Sequence, residues 1–378
     1  MTNSPPSFFC LSAIFAPRRL CAILLFLSLA APAFAEPVPT VKKGNLAGLA
    51  AQPSQVRGDE ITPQQQAAVE KGLAWLSAKQ KLGDGTYGTG IAGYSNHAGI
   101  TALAGLAFMQ AGNLPGRGKY GKEVQHCLDF VLQSCQESGL IASDASQGPM
   151  YGHGFATLFL AEVYGMTGDE AVKEKLQKAI HLIEHTQNPE GGWRYQPAPY
   201  DADISVTICE VMALRAARDA GIKVEKEVVD KSIKYVRRCQ NQDGGFSYMA
   251  NQGGGMGGSA FPRSAAGVCA LYYAGVFQGD ELKHGLEYLK QFTPGHSGRL
   301  NEGHFYYGYY YGTQAMFLAG GEYWSEFYPA IRDDLIKKEE GDHWSGDFSD
   351  DYATSMALII LQMPNRYLPV YSGKGPGS

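Results

Sequence analysis

Gln187-Asn188-Pro189-Glu190-Gly191-Gly192-Trp193 and Gln240-Asn241-Gln242-Asp243-Gly244-Gly245-Phe246 are two versions of one turn, 53 residues apart. Paired glycines supply backbone angles that other residues resist, so each turn ends whatever helix precedes it. The aromatic that follows can pack back over the Gln side chain. Asp84-Gly85-Thr86-Tyr87 is a looser version after Gln80.

Upstream of each turn the apolar residues fall at i, i+4 and i+7, the spacing of one helix face. The sets are Val69, Leu73, Leu76 before Gln80; Leu176, Ile180, Ile183 before Gln187; and Val229, Ile233, Val236 before Gln240. Looser copies are Val124, Leu128, Val131 before Cys135, and Leu282, Leu286, Leu289 before Thr293. These anchors recur every 52 to 55 residues, and a degraded sixth copy begins near Phe327 and Ile331. Downstream lies a second helix with few charges, aligned on Thr101, Thr157, Thr207, Gly267, Thr313 and Thr354. Six pairs, one helix amphipathic and one nearly all apolar, predict an all-α fold. It is an (α/α)6 toroid with an inner barrel inside an outer ring, spanning residues 59–366, and an open superhelix is the alternative.

The remainder of the chain is read as leader, linker and tail. Arg18 and Arg19 precede an apolar run from Leu20 to Ala31, with Ala33-Phe34-Ala35 ahead of Glu36. A basic flank, a short apolar core and a small-x-small site predict a cleaved signal peptide over 1–35. The run is shorter than the ~18–20 residues of a spanning helix, so an exported, periplasmic or secreted protein that does not span the membrane is expected. The twin arginines leave Sec and twin-arginine export both open. Residues 36–58 are a linker and 367–378 a C-terminal tail. The 378 residues carry 32 Lys/Arg and 37 Asp/Glu; the leader removes two Arg, taking the net charge from −5 to −7. With no basic run, nucleic acid is excluded as the main partner. Cys127, Cys135, Cys209, Cys239 and Cys269 remain, an odd number without a CxxC pair, and read as buried apolar residues.

The Gln…Gly-Gly-Trp turns between alternating helices resemble the repeats of squalene–hopene cyclases and of protein prenyltransferase β subunits. The resemblance covers about 300 residues and implies the toroid. In the hopene cyclases it implies an Asp-x-Asp-Asp-Thr acid at an inner-helix start. Here Asp203-Ile204-Ser205-Val206-Thr207 keeps the first acid and lacks the central two, and Asp201-Ala202-Asp203-Ile204-Ser205 also falls short. Protonating an alkene needs a strong, positioned acid, so cyclase chemistry is expected to be impaired or absent. The prenyltransferase resemblance implies a zinc site of Asp-x-Cys and His. Ser205 stands where the Cys is needed and Ala353 where the His would be. The Gly-Cys-Gly-Glu-Gln thioester sequence of related toroids is absent.

Four residues before each inner-helix alignment point lie His97, His153, Asp203, Arg263, Tyr309 and Asp350. In a closed toroid these six are expected to converge at one end of a central cavity and bind the ligand. Plain N-capping is the competing account of Asp203 and Asp350, and packing of Tyr309. The four acids and imidazoles of this set are acceptable metal ligands, but they come from four repeats with no fixing spacing, so neither metal nor cofactor is expected. Of the run His304-Phe305-Tyr306-Tyr307-Gly308-Tyr309-Tyr310-Tyr311, at least half the rings are expected to pack between helices and the rest to line the pocket. Gly253-Gly254-Gly255-Met256-Gly257-Gly258 lacks the Lys-Ser/Thr of a phosphate loop and reads as a mobile loop over the same end. The sequence therefore points to a cavity for an apolar or isoprenoid-like small molecule, or for an exported protein partner. The alternative is a divergent isoprenoid cyclase or lyase with Asp203 or Asp201 as acid and His97 or His153 as base.

Overall fold

The computed structural model describes residues 60–80, 85–88, 96–143, 148–250, 257–296, 303–346 and 348–371, all within the unit Asn45–Ser378. The expected leader and linker, residues 253–256 of the glycine run and 372–378 of the tail lie outside the described residues. Among the described residues the regular elements are helices. The outer ones are α1 (Pro63–Lys79), α3 (Gly121–Gln133), α5 (Glu170–Thr186), α7 (Lys226–Arg238), α9 (Asp280–Lys290) and α11 (Gly321–Lys337). Between them run the inner helices α2 (Ala98–Gln110), α4 (Met150–Thr167), α6 (Ile204–Asp219), α8 (Phe261–Ala274), α10 (Phe305–Ala319) and α12 (Asp350–Leu361).

Burial separates the two sets as the apolar patterns require. Every residue of α2 is buried, whereas α7 buries only Ser232, Tyr235 and Val236. Each inner helix packs on its neighbours in chain order, and α12 packs on α2, so the inner ring closes. Closure excludes the open superhelix, whose first and last repeats would not touch. The degraded sixth copy is α11, with Phe327 and Ile331 in the core. Packing continues past residue 366, since Leu368, Val370 and Tyr371 are buried.

The recurring Gln is a clamp between repeats. Gln80 Nε2 donates to Gly85 O (3.1 Å) and to Glu123 O in the first turn of α3 (3.0 Å). Gln187 does the same to Gly191 O (3.1 Å) and Val228 O of α7 (2.8 Å). Gln240 repeats it with Gly244 O (3.0 Å) and Glu281 O of α9 (2.8 Å). Each amide thus ties its own turn to the next outer helix. Gly191 has φ +103°, and a Cβ there would sit 2.2 Å from Lys231 O of α7, so a side chain is excluded twice over. The turn aromatics donate backwards rather than only covering the Gln. Trp193 Nε1 reaches Ile183 O (2.7 Å), Tyr87 Oη reaches Leu76 O (2.8 Å) and Trp344 Nε1 reaches Leu335 O (2.8 Å). All five cysteines among the described residues are buried and free.

Trp193 is 1% exposed. Trp193→Ala should lower unfolding free energy by about 3–5 kcal/mol in urea titrations. Trp193→Phe should lose only about 1 kcal/mol, the share of the indole hydrogen bond.

Candidate functional site

The first turns of the inner helices surround a cavity of about 800 Å³. How each helix is rotated about its axis decides what enters it, and a hydrogen bond to the preceding turn sets that rotation. Thr101 Oγ1 accepts from Tyr87 N (3.0 Å), Thr207 Oγ1 from Trp193 N (3.1 Å), and Thr354 Oγ1 from Trp344 N (3.0 Å). In the fourth repeat the acceptor is Ser264 Oγ, to Phe246 N at 2.8 Å, not a residue at Gly267. In the second it is His153 Nδ1, to Ile141 N at 3.1 Å, and not Thr157. In the fifth, Tyr309 Oη instead donates to Phe292 O at 2.9 Å.

These anchors face outward, so the cavity belongs to the opposite face. At about 100° per residue, a step of two turns through some 200°, whereas a step of four returns to within about 40° of the starting face. Two residues before the six anchors stand Gly99, Tyr151, Ser205, Pro262, Tyr307 and Tyr352, and all six line the cavity. The same alternation holds in the extended backbone after the turns. Tyr195 and Tyr248 lie two residues beyond Trp193 and Phe246 and also line it. His97, Arg263, His304, Phe155 and Phe348 complete its polar and aromatic wall.

Of the six residues expected to converge, the structure brings His97 and Arg263 to the cavity. His97 also caps α2, its Nδ1 accepting from Ile100 N at 3.3 Å. His153 is fully buried on the outward face, and burial drives its pKa down to about 4, against an opposing influence of the Ala179 backbone. Asp203 caps α6, with Oδ1 accepting from Ser205 N (2.9 Å) and Val206 N (2.8 Å). Its side chain is fully buried behind Tyr248, whose hydroxyl donates to Oδ2 at 3.0 Å. Burial pushes this carboxyl up to about 6, although the Val206, Tyr248 and Arg194 interactions pull the other way. Asp201 is exposed and pairs with Arg194 at 2.5 Å. Tyr309 packs among Phe261, Phe305 and Phe327. Asp350 is exposed, 3.8 Å from His343 Nε2, and Ser349 rather than Asp350 caps α12. His153 and Tyr309 are themselves outward anchors, Asp203 is spent on the α6 cap and Asp350 lies exposed beside His343, so these four do not reach the cavity.

Of the tyrosine run, only Tyr307 lines the cavity; Tyr306, Tyr309, Tyr310 and Tyr311 are buried in helix packing. Burial raises the phenols of Tyr151, Tyr248 and Tyr307, so they act as neutral hydrogen-bond donors. Tyr307 donates to Ser205 O at 2.8 Å, and Tyr195 Oη lies 2.5 Å from Tyr248 Oη. No group of three or more His, Cys, Asp or Glu that could hold a metal occurs among the described residues. No helix among them is long and apolar enough to cross a membrane.

The sequence model of the squalene-hopene cyclase C-terminal domain matches residues 156–331. No curated protein matches the chain by sequence. Among solved structures, the GH76A alpha-1,6-mannanase of Salegentibacter sp. HEL1_6 in complex with alpha-1,6-mannotriose superposes with a TM-score of 0.60 at 10% identity, covering 79% of this chain and 99% of that one. The cellobiose 2-epimerase of Spirochaeta thermophila gives 0.60 at 12% identity, covering 82% and 99%. The type II terpene cyclase MstE of Scytonema, in complex with geranylgeranyl dihydroxybenzoate, gives 0.57 at 13% identity, covering 82% and 97%. The repeat resemblance to the squalene–hopene cyclases is therefore shown, and the fold is the terpenoid cyclase-like α/α toroid.

His153 gives a pH test of this anchoring. Its folded pKa lies below the ordinary value of 6.5, so the stability it contributes is complete above pH 6.5 and is lost as pH falls towards about 4. His153→Asn keeps an acceptor without a titration. The variant should flatten the stability–pH slope in that window by up to about 1.4 kcal/mol per pH unit, measured by urea midpoints.

Proposed function

We propose that the protein is an exported small-molecule binder that holds an apolar or isoprenoid-like ligand in its central cavity without competent cyclase chemistry. The observation that carries this reading is the composition of the wall. It is largely aromatic and aliphatic, and no Asp or Glu is among its described residues. Among the described lining residues an alkene meets no carboxylic acid, and Asp203 spends one oxygen on the α6 cap and turns the other to Tyr248. The volume falls in the range of roughly 300–1,000 Å³ usual for ligand pockets. Superposed toroids were solved with a mannotriose and with a geranylgeranyl dihydroxybenzoate, which supports a small molecule as the ligand of such a fold. Export and cleavage before Glu36 belong to the same reading, with the periplasm or the exterior as its location.

Native mass spectrometry of the protein purified from its own envelope fraction, with lipid extraction of the same sample, tests it. A mature mass beginning at Glu36 with a co-purifying apolar molecule is the expected result. Leu103→Trp, which fills part of the cavity, should abolish retention while leaving the melting temperature within a few degrees. A ligand-free mass from every preparation would overturn the reading in favour of a scaffold for an exported protein.

One observation favours a second reading, a divergent cyclase or lyase. The Tyr195–Tyr248–Asp203 chain of hydroxyls links the cavity wall to a carboxyl whose pKa is raised to about 6. A carboxylic acid acting through that chain is protonated below pH 6. Turnover of an isoprenoid substrate would then fall as pH rises through 6, and Asp203→Asn would abolish it. Absence of product from wild-type protein at pH 5 removes this reading.

A further inference from the structure

After α12 the chain does not leave the ring. It crosses the end of the inner barrel away from the cavity as a strap with two single 3-10 turns, Met363–Asn365 and Pro369–Tyr371. Gln362 Nε2 donates to Ala107 O (3.1 Å) and Asn365 Nδ2 to Gln110 O (3.1 Å), which fastens the start of the strap to the last turn of α2. Its far end packs on α4 and α6, and Tyr371 shares a hydrogen bond with Tyr310 of α10. Leu368, Val370 and Tyr371 are buried there.

Under this far end lies a carboxyl. Glu162 of α4 is 1% exposed, and Val370 N of the strap donates to its Oε1 at 3.2 Å and its Oε2 at 3.4 Å. The groups around it come from each neighbouring element. From α6 comes Asp219, paired with Arg215 at 2.6 Å and with Arg218 beside that pair. Tyr273 of α8 and Tyr371 of the strap face it, with Tyr310 of α10 next to Tyr371, and burial raises all three phenols, so they stay neutral. Helix α2 has no ionisable residue, and what α5 buries is apolar apart from Thr186. Arg366 of the strap is turned to Glu60, at 3.6 Å.

We propose that residues 362–371 are a pH-responsive closure of this barrel end, seated while Glu162 keeps its proton and lifted when Glu162 gives that proton to water. A buried carboxylate must regain water, and the strap, held to the ring by a few hydrogen bonds, moves more easily than α4 does. Burial raises Glu162 to about 8; the bond from the Val370 amide opposes this and Asp219 adds to it. Once the strap has lifted, the carboxyl is wet and returns towards its ordinary 4.5. The closed state has the higher value, so closure is most stable below pH 4.5. It weakens by up to about tenfold in its equilibrium constant for each pH unit above that, and levels off past pH 8. This device works whatever ligand the cavity takes.

Hydrogen–deuterium exchange of the mature chain, read by mass spectrometry between about pH 5 and pH 7.5, tests it. The quantity is the protection factor of the Leu368, Val370 and Tyr371 amides, the intrinsic exchange rate at each pH divided by the observed one. In the wild type it is expected to fall about tenfold or more across that range. Glu162→Gln keeps the size and an acceptor for Val370 N, and should hold protection level. Glu162→Met keeps the bulk without charge or acceptor; its protection should start lower and also stay level, and it guards against a Gln variant that fails to fold. Level protection in the wild type, or a fall of the same size in a folded variant, overturns the closure. A fall shared equally by peptides of α2, α4 and α10 also overturns it, because Glu162 would then govern the whole ring rather than the strap.

Discussion

A side-chain amide at the end of an outer helix, bonded to its own turn and to the first turn of the next outer helix, is the joint on which this ring depends. Gln80, Gln187 and Gln240 form it with closely similar distances. A helix pair cannot bury its apolar face alone, so each repeat needs its neighbour at a defined offset. Two N–H donors on one planar group set that offset, and leaving either unpaired in this half-buried place would cost about 1–3 kcal/mol. The glycine whose carbonyl accepts one of these bonds also lets the next outer helix approach, as the 2.2 Å between a Cβ on Gly191 and Lys231 O makes plain.

From that joint the inner barrel follows. In four repeats the turn ends in an aromatic, and in the second in Ile141, whose backbone N–H finds its acceptor on the inner helix that comes next, while in the fifth Tyr309 of the inner helix donates back to Phe292 O. This one bond fixes the rotation of the helix and thereby the face it shows to the axis. Thr101, Thr207, Ser264 and Thr354 supply a hydroxyl, while His153 supplies a ring nitrogen in the same place. A buried imidazole in that role stays neutral, which accounts for its depressed pKa without any catalytic duty. The cavity wall is the consequence of six such rotations rather than a motif of its own.

Electrostatics then divides the acids from the site. Asp203 carries the resemblance to a cyclase acid, yet capping α6 withdraws it from the space where substrate would lie, with Tyr248 between them. Among the described residues, what remains at the mouth is aromatic and aliphatic surface, one guanidinium, two imidazoles and the starts of six helices.

The helix alternation, the repeat length and the turns were legible in the sequence, because apolar spacing and paired glycines act locally. The toroid could be expected from six pairs, but its closure shows only in the packing of α12 on α2. Placement of the site was half legible. His97 and Arg263 stand at the cavity, while His153 and Tyr309 are themselves outward anchors, Asp203 is spent on the α6 cap and Asp350 lies exposed beside His343. Tyr151, Tyr307 and Tyr352 could have been found by stepping back two from the true anchors. Those anchors were hidden in the second, fourth and fifth repeats, where His153, Ser264 and Tyr309 stand in for threonine. The sequence by itself determined which segments are helices and in what order they pair. Which atoms face the axis was decided by tertiary hydrogen bonds, because such a bond asks only for a suitable polar atom at the right place and leaves the residue type free.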